Sequence, residues 1–260
     1  SFYYRGELAI LTICRDISER KKAERLREHT ERIVKHDLKN PLSAILGFSS
    51  FLLSDNSLTQ KHHESLSHIY TSGKKINTMI SQSLDFLKME ENTYLLNPQD
   101  FNLMDLFDNL EKEFYYFDEN KLNKFVYLLN GKPITLKDSY FISGEPIYIE
   151  VLLSNLIRNA VEASSRNKQI TISIEDKEKY HQIDIHNFGT IPANIKDKFF
   201  EPYVTSGKKG GTGLGVYSAS LIAKAHHGSL TFTSSKEEGT HLIIILPKSI
   251  KQNGNYNVDW

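Results

Sequence analysis

Apolar residues in the first third of the chain recur at alternating spacings of three and four. Leu38, Leu42, Ile45, Ser49 and Leu52 form one series, with Ser49 its one polar member; Leu66, Ile69, Gly73, Ile76, Ile80, Ser83 and Leu87 form a second. That repeat belongs to helices packed along a seam. The polar run Ser54-Asp55-Asn56-Ser57 separates the two, so the pattern predicts an antiparallel helical hairpin. A two-helix hairpin cannot bury its own seam, and two copies pairing into a dimeric four-helix bundle is the economical solution. A homodimer through residues 19–97 is the expectation.

The flanks read differently. Aromatic and aliphatic runs on either side of Arg5-Gly6-Glu7 suggest a β-hairpin within residues 2–14. From Asp16 the charges fall at helical spacing, with Ser18 placed to cap a long polar helix. Beyond Asn97-Pro98, helical segments around Leu103 to Phe114 and Ile149 to Ala163 alternate with β-rich runs at Ile170 to Ile174, His181 to His186, Ser229 to Thr233 and His241 to Leu246. This is the order of an α/β sandwich. The stretch Lys251 to Trp260 is polar and without periodicity, and a mobile tail is expected there. The expected fold class is α+β, divided at residues 1–18, 19–97, 98–250 and 251–260.

Composition narrows the function classes. The 260 residues carry 32 basic and 32 acidic side chains, with 14 basic against 12 acidic up to Asn97 and 18 against 20 after it. Neither part has the field that gathers nucleic acid or an anionic membrane. The longest largely apolar run, Leu8 to Cys14, falls far short of the roughly 20 residues that span a bilayer. Cys14 is the one cysteine and has no internal disulfide partner, which fits a reducing, cytoplasmic setting. The start at Ser1-Phe2, with neither an initiator Met nor a signal peptide, reads as a piece of a longer protein whose upstream part is missing.

Three segments carry candidate chemistry. In Val34-Lys35-His36-Asp37-Leu38-Lys39-Asn40-Pro41-Leu42, His36 lies off the apolar seam, and Asp37 can orient its imidazole and take its proton. Pro41 has no N–H to offer the carbonyl of Asp37, so a bend is expected beside the histidine. In the helix Val151 to Ala163, Asn155, Asn159 and Glu162 share one face at i, i+4 and i+7. Asparagine is a poor helix former, and an oxygen ligand for Mg²⁺ would explain its use there. The run Thr205-Ser206-Gly207-Lys208-Lys209-Gly210-Gly211-Thr212-Gly213-Leu214-Gly215 joins glycines and lysines ahead of a helical pattern, a composition suited to wrapping phosphates.

The box around His36 resembles the phosphoacceptor segment of sensor histidine kinases. That resemblance implies a γ-phosphoryl acceptor at His36, a general base at Asp37 and a residue at Asn40 that positions water for dephosphorylating a partner. The Asn helix, Phe199-Phe200-Glu201-Pro202, the glycine turn, His227-Gly228 and Gly239-Thr240 follow the order of the GHKL ATP-binding domains, shared with gyrase, Hsp90 and MutL. It implies ATP and Mg²⁺ as cofactors, metal at Asn159 with Asn155 beside it, and phosphate contacts from Lys208, Lys209, Gly211, Thr212, Gly213, Leu214 and Gly215. Thr205, Ile191 and Thr240 join the implied nucleotide contacts, and Phe200 and Tyr203 the hinge of the lid.

The usual Asp-x-Gly-x-Gly box departs here to His186-Asn187-Phe188-Gly189-Thr190-Ile191. Aligning Asn187 with the aspartate and Gly189 with the first glycine shortens the loop by one residue, and a neutral carbonyl implies weaker adenine binding. A gapless alignment places His186 there instead and suggests a damaged site. The resemblance also implies a PAS-like sensor remnant over residues 1–18, ending in Asp16-Ile17-Ser18, and a response-regulator receiver domain as partner. Two other functions stand beside a histidine kinase: an ATP-driven clamp, and a non-enzymatic adaptor with a degenerate ATP domain. Clamp enzymes carry a glutamate one turn before the metal-binding asparagine, where this chain has Asn155.

Overall fold

The computed structural model describes residues 2–4, 7–9, 21, 38–55, 57–117, 124–165, 168–205 and 212–249. Cys14, the helix expected from Ser18, His36, Asp37 and the polar tail at 251–260 lie outside the described residues. Two compact units divide between Asp85 and Phe86. The division expected at Asn97-Pro98 falls inside the second unit.

In the first unit, β1 (Phe2–Tyr4) and β2 (Glu7–Ala9) pair antiparallel, with Tyr3 opposite Leu8. Helix α1 (Lys39–Leu53) and α2 (Gln60–Glu90, which runs on into the second unit) form the two arms expected from the apolar repeats. Pro41 sits in the first described turn of α1, and the Asp37 carbonyl beside which a bend is expected lies outside the described residues. The apolar cluster consists of Leu42, Ile80 and Leu84 with Leu46 against them. Leu84 and Leu46 lie outside the seams read from sequence, whereas Leu38, Ile45, Ile69 and Ile76 within those seams are about half exposed in the single chain. Gly73 lets the two arms approach: a Cβ there would stand 3.0 Å from Leu46 Cδ2. Ser49 is buried and donates to the Ile45 carbonyl at 2.7 Å, so its hydroxyl is satisfied within the helix.

The second unit is built on a six-stranded mixed sheet in the order β5-β4-β7-β8-β10-β9. These strands are β4 (Lys124–Leu129), β5 (Lys132–Ile134), β7 (Gln169–Asp176), β8 (Tyr180–Asn187), β9 (Ser229–Ser235) and β10 (Gly239–Pro247). Only β4 and β7 pair parallel; every other neighbour is antiparallel. Strand alternation sends Ile170, Ile172, Ile174, Ile183, Ile185 and Ile244 to one face, where each is fully buried. Helices α3 (Leu103–Phe117), α4 (Pro146–Ala163) and, after the one-turn α5 (Ala193–Lys196), α6 (Gly215–Ala225) meet the sheet, and Phe107, Leu153, Leu156 and Ile222 join its core. Burying each such side chain contributes about 1.5–3 kcal/mol.

A small pair, β3 (Gln99–Asn102) with β6 (Phe141–Gly144), leads into α4. Pro146 occupies the first turn of α4, where its missing N–H costs nothing. Glu145 at the N-cap makes no side-chain cap. Its carboxylate instead accepts from the Tyr94 hydroxyl and the Asn97 backbone N–H, tying down the segment between α2 and β3. Behind it, fully buried His226 accepts the Glu145 N–H on Nε2 at 3.0 Å and donates from Nδ1 to the Ile222 carbonyl. Those two bonds require a neutral ring, and burial holds its pKa below the usual histidine value. Among the described residues no helix is long and apolar enough to cross a membrane.

Candidate nucleotide site

A cavity of about 300 Å³ opens in the second unit between α4, the end of β8 and the segments flanking residues 206–211. That size falls at the lower end of small-molecule sites. Helix α4 supplies one wall: its buried stripe of Leu152, Leu153, Leu156 and Ile157 faces the core, and Asn155, Arg158, Asn159 and Glu162 face the cavity. The Asn159 amide donates to the Asn155 carbonyl at 3.0 Å, which commits its nitrogen and leaves its carbonyl oxygen to offer. Asn155 in turn donates to Ser218 Oγ on α6 at 3.1 Å, bracing the two helices. Arg158 and Glu162 are the charged side chains among the described lining residues. Arg158 also meets Glu113 at 3.1 Å and lies over the Phe114 ring.

The floor is the end of β8. Asn187 is 2% exposed, lines the cavity and stands opposite Thr240 of β10. The loop that follows is anchored at both ends by one chain of hydrogen bonds. The Ile191 N–H donates to Ser234 Oγ at 3.0 Å, Ser234 and Thr240 hydroxyls meet at 2.9 Å, and Thr240 donates to the Gly189 carbonyl at 2.7 Å. Because the Thr240 proton goes to Gly189, Ser234 is the donor between the two hydroxyls. His186 points to the opposite face of the sheet, stacked on His241 at 4.3 Å. Asn187 thus lines the cavity and His186 does not.

Of the residues picked out from sequence, Asn155, Asn159, Asn187, Ile191, Thr205, Thr212, Gly213, Gly215 and Thr240 line this cavity together. Three do not. Gly189 faces the end of α4, where a Cβ would come within 2.3 Å of the Ala163 carbonyl oxygen, so its glycine lets the loop pass the helix. Phe200 packs into an aromatic cluster with Phe199 and Phe232, and it is Phe199 that reaches the cavity. Leu214 precedes α6 and is partly exposed. Lys208, Lys209 and Gly211 lie outside the described residues, as do His36 and Asp37; Asn40 is exposed on α1.

The two described ends around residues 206–211 are joined by a Tyr203 N–H to Gly213 carbonyl bond of 3.0 Å. Both residues are left-handed, Tyr203 at φ 66° and Gly213 at φ 69°. Tyr203 is 75% exposed, so its ring is not core packing. Arg158, Phe199 and Ala160 were not legible as lining residues from motif alone. Arg158 stands three positions after Asn155, and that spacing on the asparagine face was the signal available.

Two family models match separate stretches of the chain. Residues 31–92 match the His Kinase A (phospho-acceptor) domain. Residues 144–250 match the Histidine kinase-, DNA gyrase B-, and HSP90-like ATPase family. Sporulation kinase A of Bacillus subtilis is 29% identical over 256 residues, covering 94% of this chain and 40% of that protein. Sensor protein TorS of Escherichia coli is 28% identical over 240 residues, covering 88% of this chain and 25% of that protein. The chain thus spans two-fifths or less of these relatives' length. Among solved structures, the catalytic domain of histidine kinase ThkA aligns over 58% of this chain and 98% of its own at a TM-score of 0.50 and 27% identity. The Acinetobacter baumannii histidine kinase AdeS shares the fold over 83% of this chain and 98% of its own, with a TM-score of 0.52 and 20% identity.

Proposed function

We infer that the chain is a histidine kinase catalytic core that transfers the γ-phosphoryl group of ATP to His36 and then to an aspartate of a response-regulator receiver domain. The observation that carries this reading is the convergence of Asn155, Asn159, Asn187 and Thr240, from three separate elements, on one cavity. In the first step a ring nitrogen of His36 bonds to the γ-phosphorus, the bond to the bridging oxygen breaks, ADP leaves and Asp37 takes the imidazole proton. In the second, the phosphoryl passes to the partner's carboxylate and His36 is restored. Asn40 orients water for the reverse work of removing that phosphoryl. Positioning and charge neutralisation supply most of the catalysis.

The donor set suits Mg²⁺ bound chiefly through phosphates and water. Among the described residues no cluster of three histidines, cysteines or carboxylates could hold a metal alone, and the Asn159 carbonyl is an oxygen ligand of the kind Mg²⁺ takes. When bound there, the metal would neutralise phosphate charge. Asn155, Ser218 and the Asn159 amide fix the orientation of that ligand. Lys208, Lys209 and Gly211 add phosphate contacts from the lid, and Asn187 reads the base.

Two copies pair through residues 19–97. The half-exposed Leu38, Ile45, Ile69 and Ile76 and the more exposed Phe48 and Phe51 give the first unit an apolar surface that a second copy would cover. An upstream PAS-like sensor feeds this region, in the cytoplasm. The formed cavity argues against a degenerate adaptor, and Asn155 in place of a water-activating glutamate argues against a clamp.

Incubation with γ-labelled ATP and Mg²⁺ should give an acid-labile, base-stable phosphoprotein that His36→Gln abolishes. Label that survives His36→Gln, or ADP released without any phosphoprotein, would refute the reading.

A further inference from the structure

We propose that Asn187 makes the nucleotide site accept purines bearing either a 6-amino or a 6-oxo group, so that inosine triphosphate binds alongside ATP. The inference rests on the nucleotide-site reading above and deepens it. Asn187 is 2% exposed and lines the cavity, and its Nδ2 is buried without a hydrogen-bond partner. The polar groups around it are committed elsewhere: Thr240 to the Gly189 carbonyl, Ser234 to Thr240, and the Ile191 N–H to Ser234. None of these bonds fixes the amide in one sense.

A carboxylate at this place could only accept, pairing with a 6-amino group and opposing a 6-oxo group. A carboxamide carries a donor and an acceptor of nearly equal shape, and half a turn about χ2 exchanges them. Toward adenine the carbonyl accepts from the 6-amino group while the NH₂ can donate to N1. Toward hypoxanthine the same amide, turned over, donates to O6 and accepts from N1–H. Either pairing gives the orphaned NH₂ the acceptor that the protein withholds. Neither turn breaks any of the hydrogen bonds that brace the loop. The absence of a protein partner is what separates this asparagine from one locked for adenine alone.

The test is competitive displacement of a fluorescent ATP analogue from the full chain, in Mg²⁺, by ATP and by inosine triphosphate. The Kd for inosine triphosphate should fall within about tenfold of that for ATP. Asn187→Asp should widen the ratio by about 5- to 150-fold, the cost of facing an acceptor with an unpaired acceptor. Wild-type protein that binds ATP but rejects inosine triphosphate by more than about a hundredfold would overturn the inference and leave the kinase reading intact. An unchanged ratio in folded Asn187→Asp would overturn it equally. Failure to bind either nucleotide would overturn the kinase reading and this inference with it. If Asn187→Asp does not fold, the wild-type ratio decides.

Discussion

The two units close their apolar surfaces in different ways. In the α/β unit, Ile172, Ile183, Leu156 and Phe107 are fully buried by the same chain that carries them. In the hairpin, Leu42, Ile80 and Leu84 are buried, while Phe48 and Phe51 stay 71% and 73% exposed. The α/β unit buries a large core within one copy, whereas the hairpin buries a small one and leaves exposed the surface proposed above for a second copy. If two copies pair as proposed, the stability of the hairpin should depend on concentration and that of the α/β unit, which holds the cavity, should not.

The comparison breaks first at the α/β core. Ile183→Ala should cost about 2–5 kcal/mol, read as a lower denaturation midpoint of that unit that does not change on dilution. A midpoint that moved with concentration would place the core across an interface. Next in size, Phe48→Glu with Phe51→Glu should turn a dimer into a monomer by light scattering and leave the α/β transition in place. Each anchor is expected to contribute about 2 kcal/mol to association. Gly73→Val should then cost about 1–3 kcal/mol in the hairpin alone, because an added Cβ would by itself stand 3.0 Å from Leu46 Cδ2.

The smallest effect separates the units by pH. His226 is held neutral in the folded α/β unit, its pKa depressed by burial, so the unfolded state binds more protons once the pH falls below about 6.5. The α/β transition should weaken on acidification through that point. His226→Gln should flatten the dependence; an unchanged slope would remove the histidine from the account.

The same contrast explains what the sequence disclosed. Strands β7, β8 and most of β10 alternate between a buried and a half-exposed face, and β9 alternates Leu230 and Phe232 with polar residues, so all four were legible to within two residues at each end. Strand β4 reads as Phe-Val-Tyr-Leu-Leu without alternation, and β3, β5 and β6 have three or four residues each, too short for any period to show. The hairpin's helices were visible, yet its internal seam was not. The repeat holds Ile80, buried within the chain, and Ile76, left 50% exposed, alike, and it passes over the buried Leu84. In the site, spacing found Asn155 and Asn159, and order of motifs found Asn187 and Thr240. The role of Gly189 escaped because its value lies in leaving room beside Ala163, distant in sequence, where a Cβ would stand 2.3 Å from the carbonyl oxygen. Phe199 and Phe200 are neighbours in one aromatic cluster, and only coordinates tell which ring faces the cavity.

Mapping the phosphoryl group tests the proposed transfer from the nucleotide bound in the α/β cavity to His36. Wild type, His36→Gln and Asn159→Ala proteins would be incubated with ATP and Mg²⁺, held at alkaline pH and digested for mass spectrometry. The account predicts phosphoryl on His36 in the wild type, none in Asn159→Ala at unchanged fold by circular dichroism, and none anywhere in His36→Gln. Phosphoryl on another residue, or undiminished phosphoryl on His36 in Asn159→Ala, would contradict it.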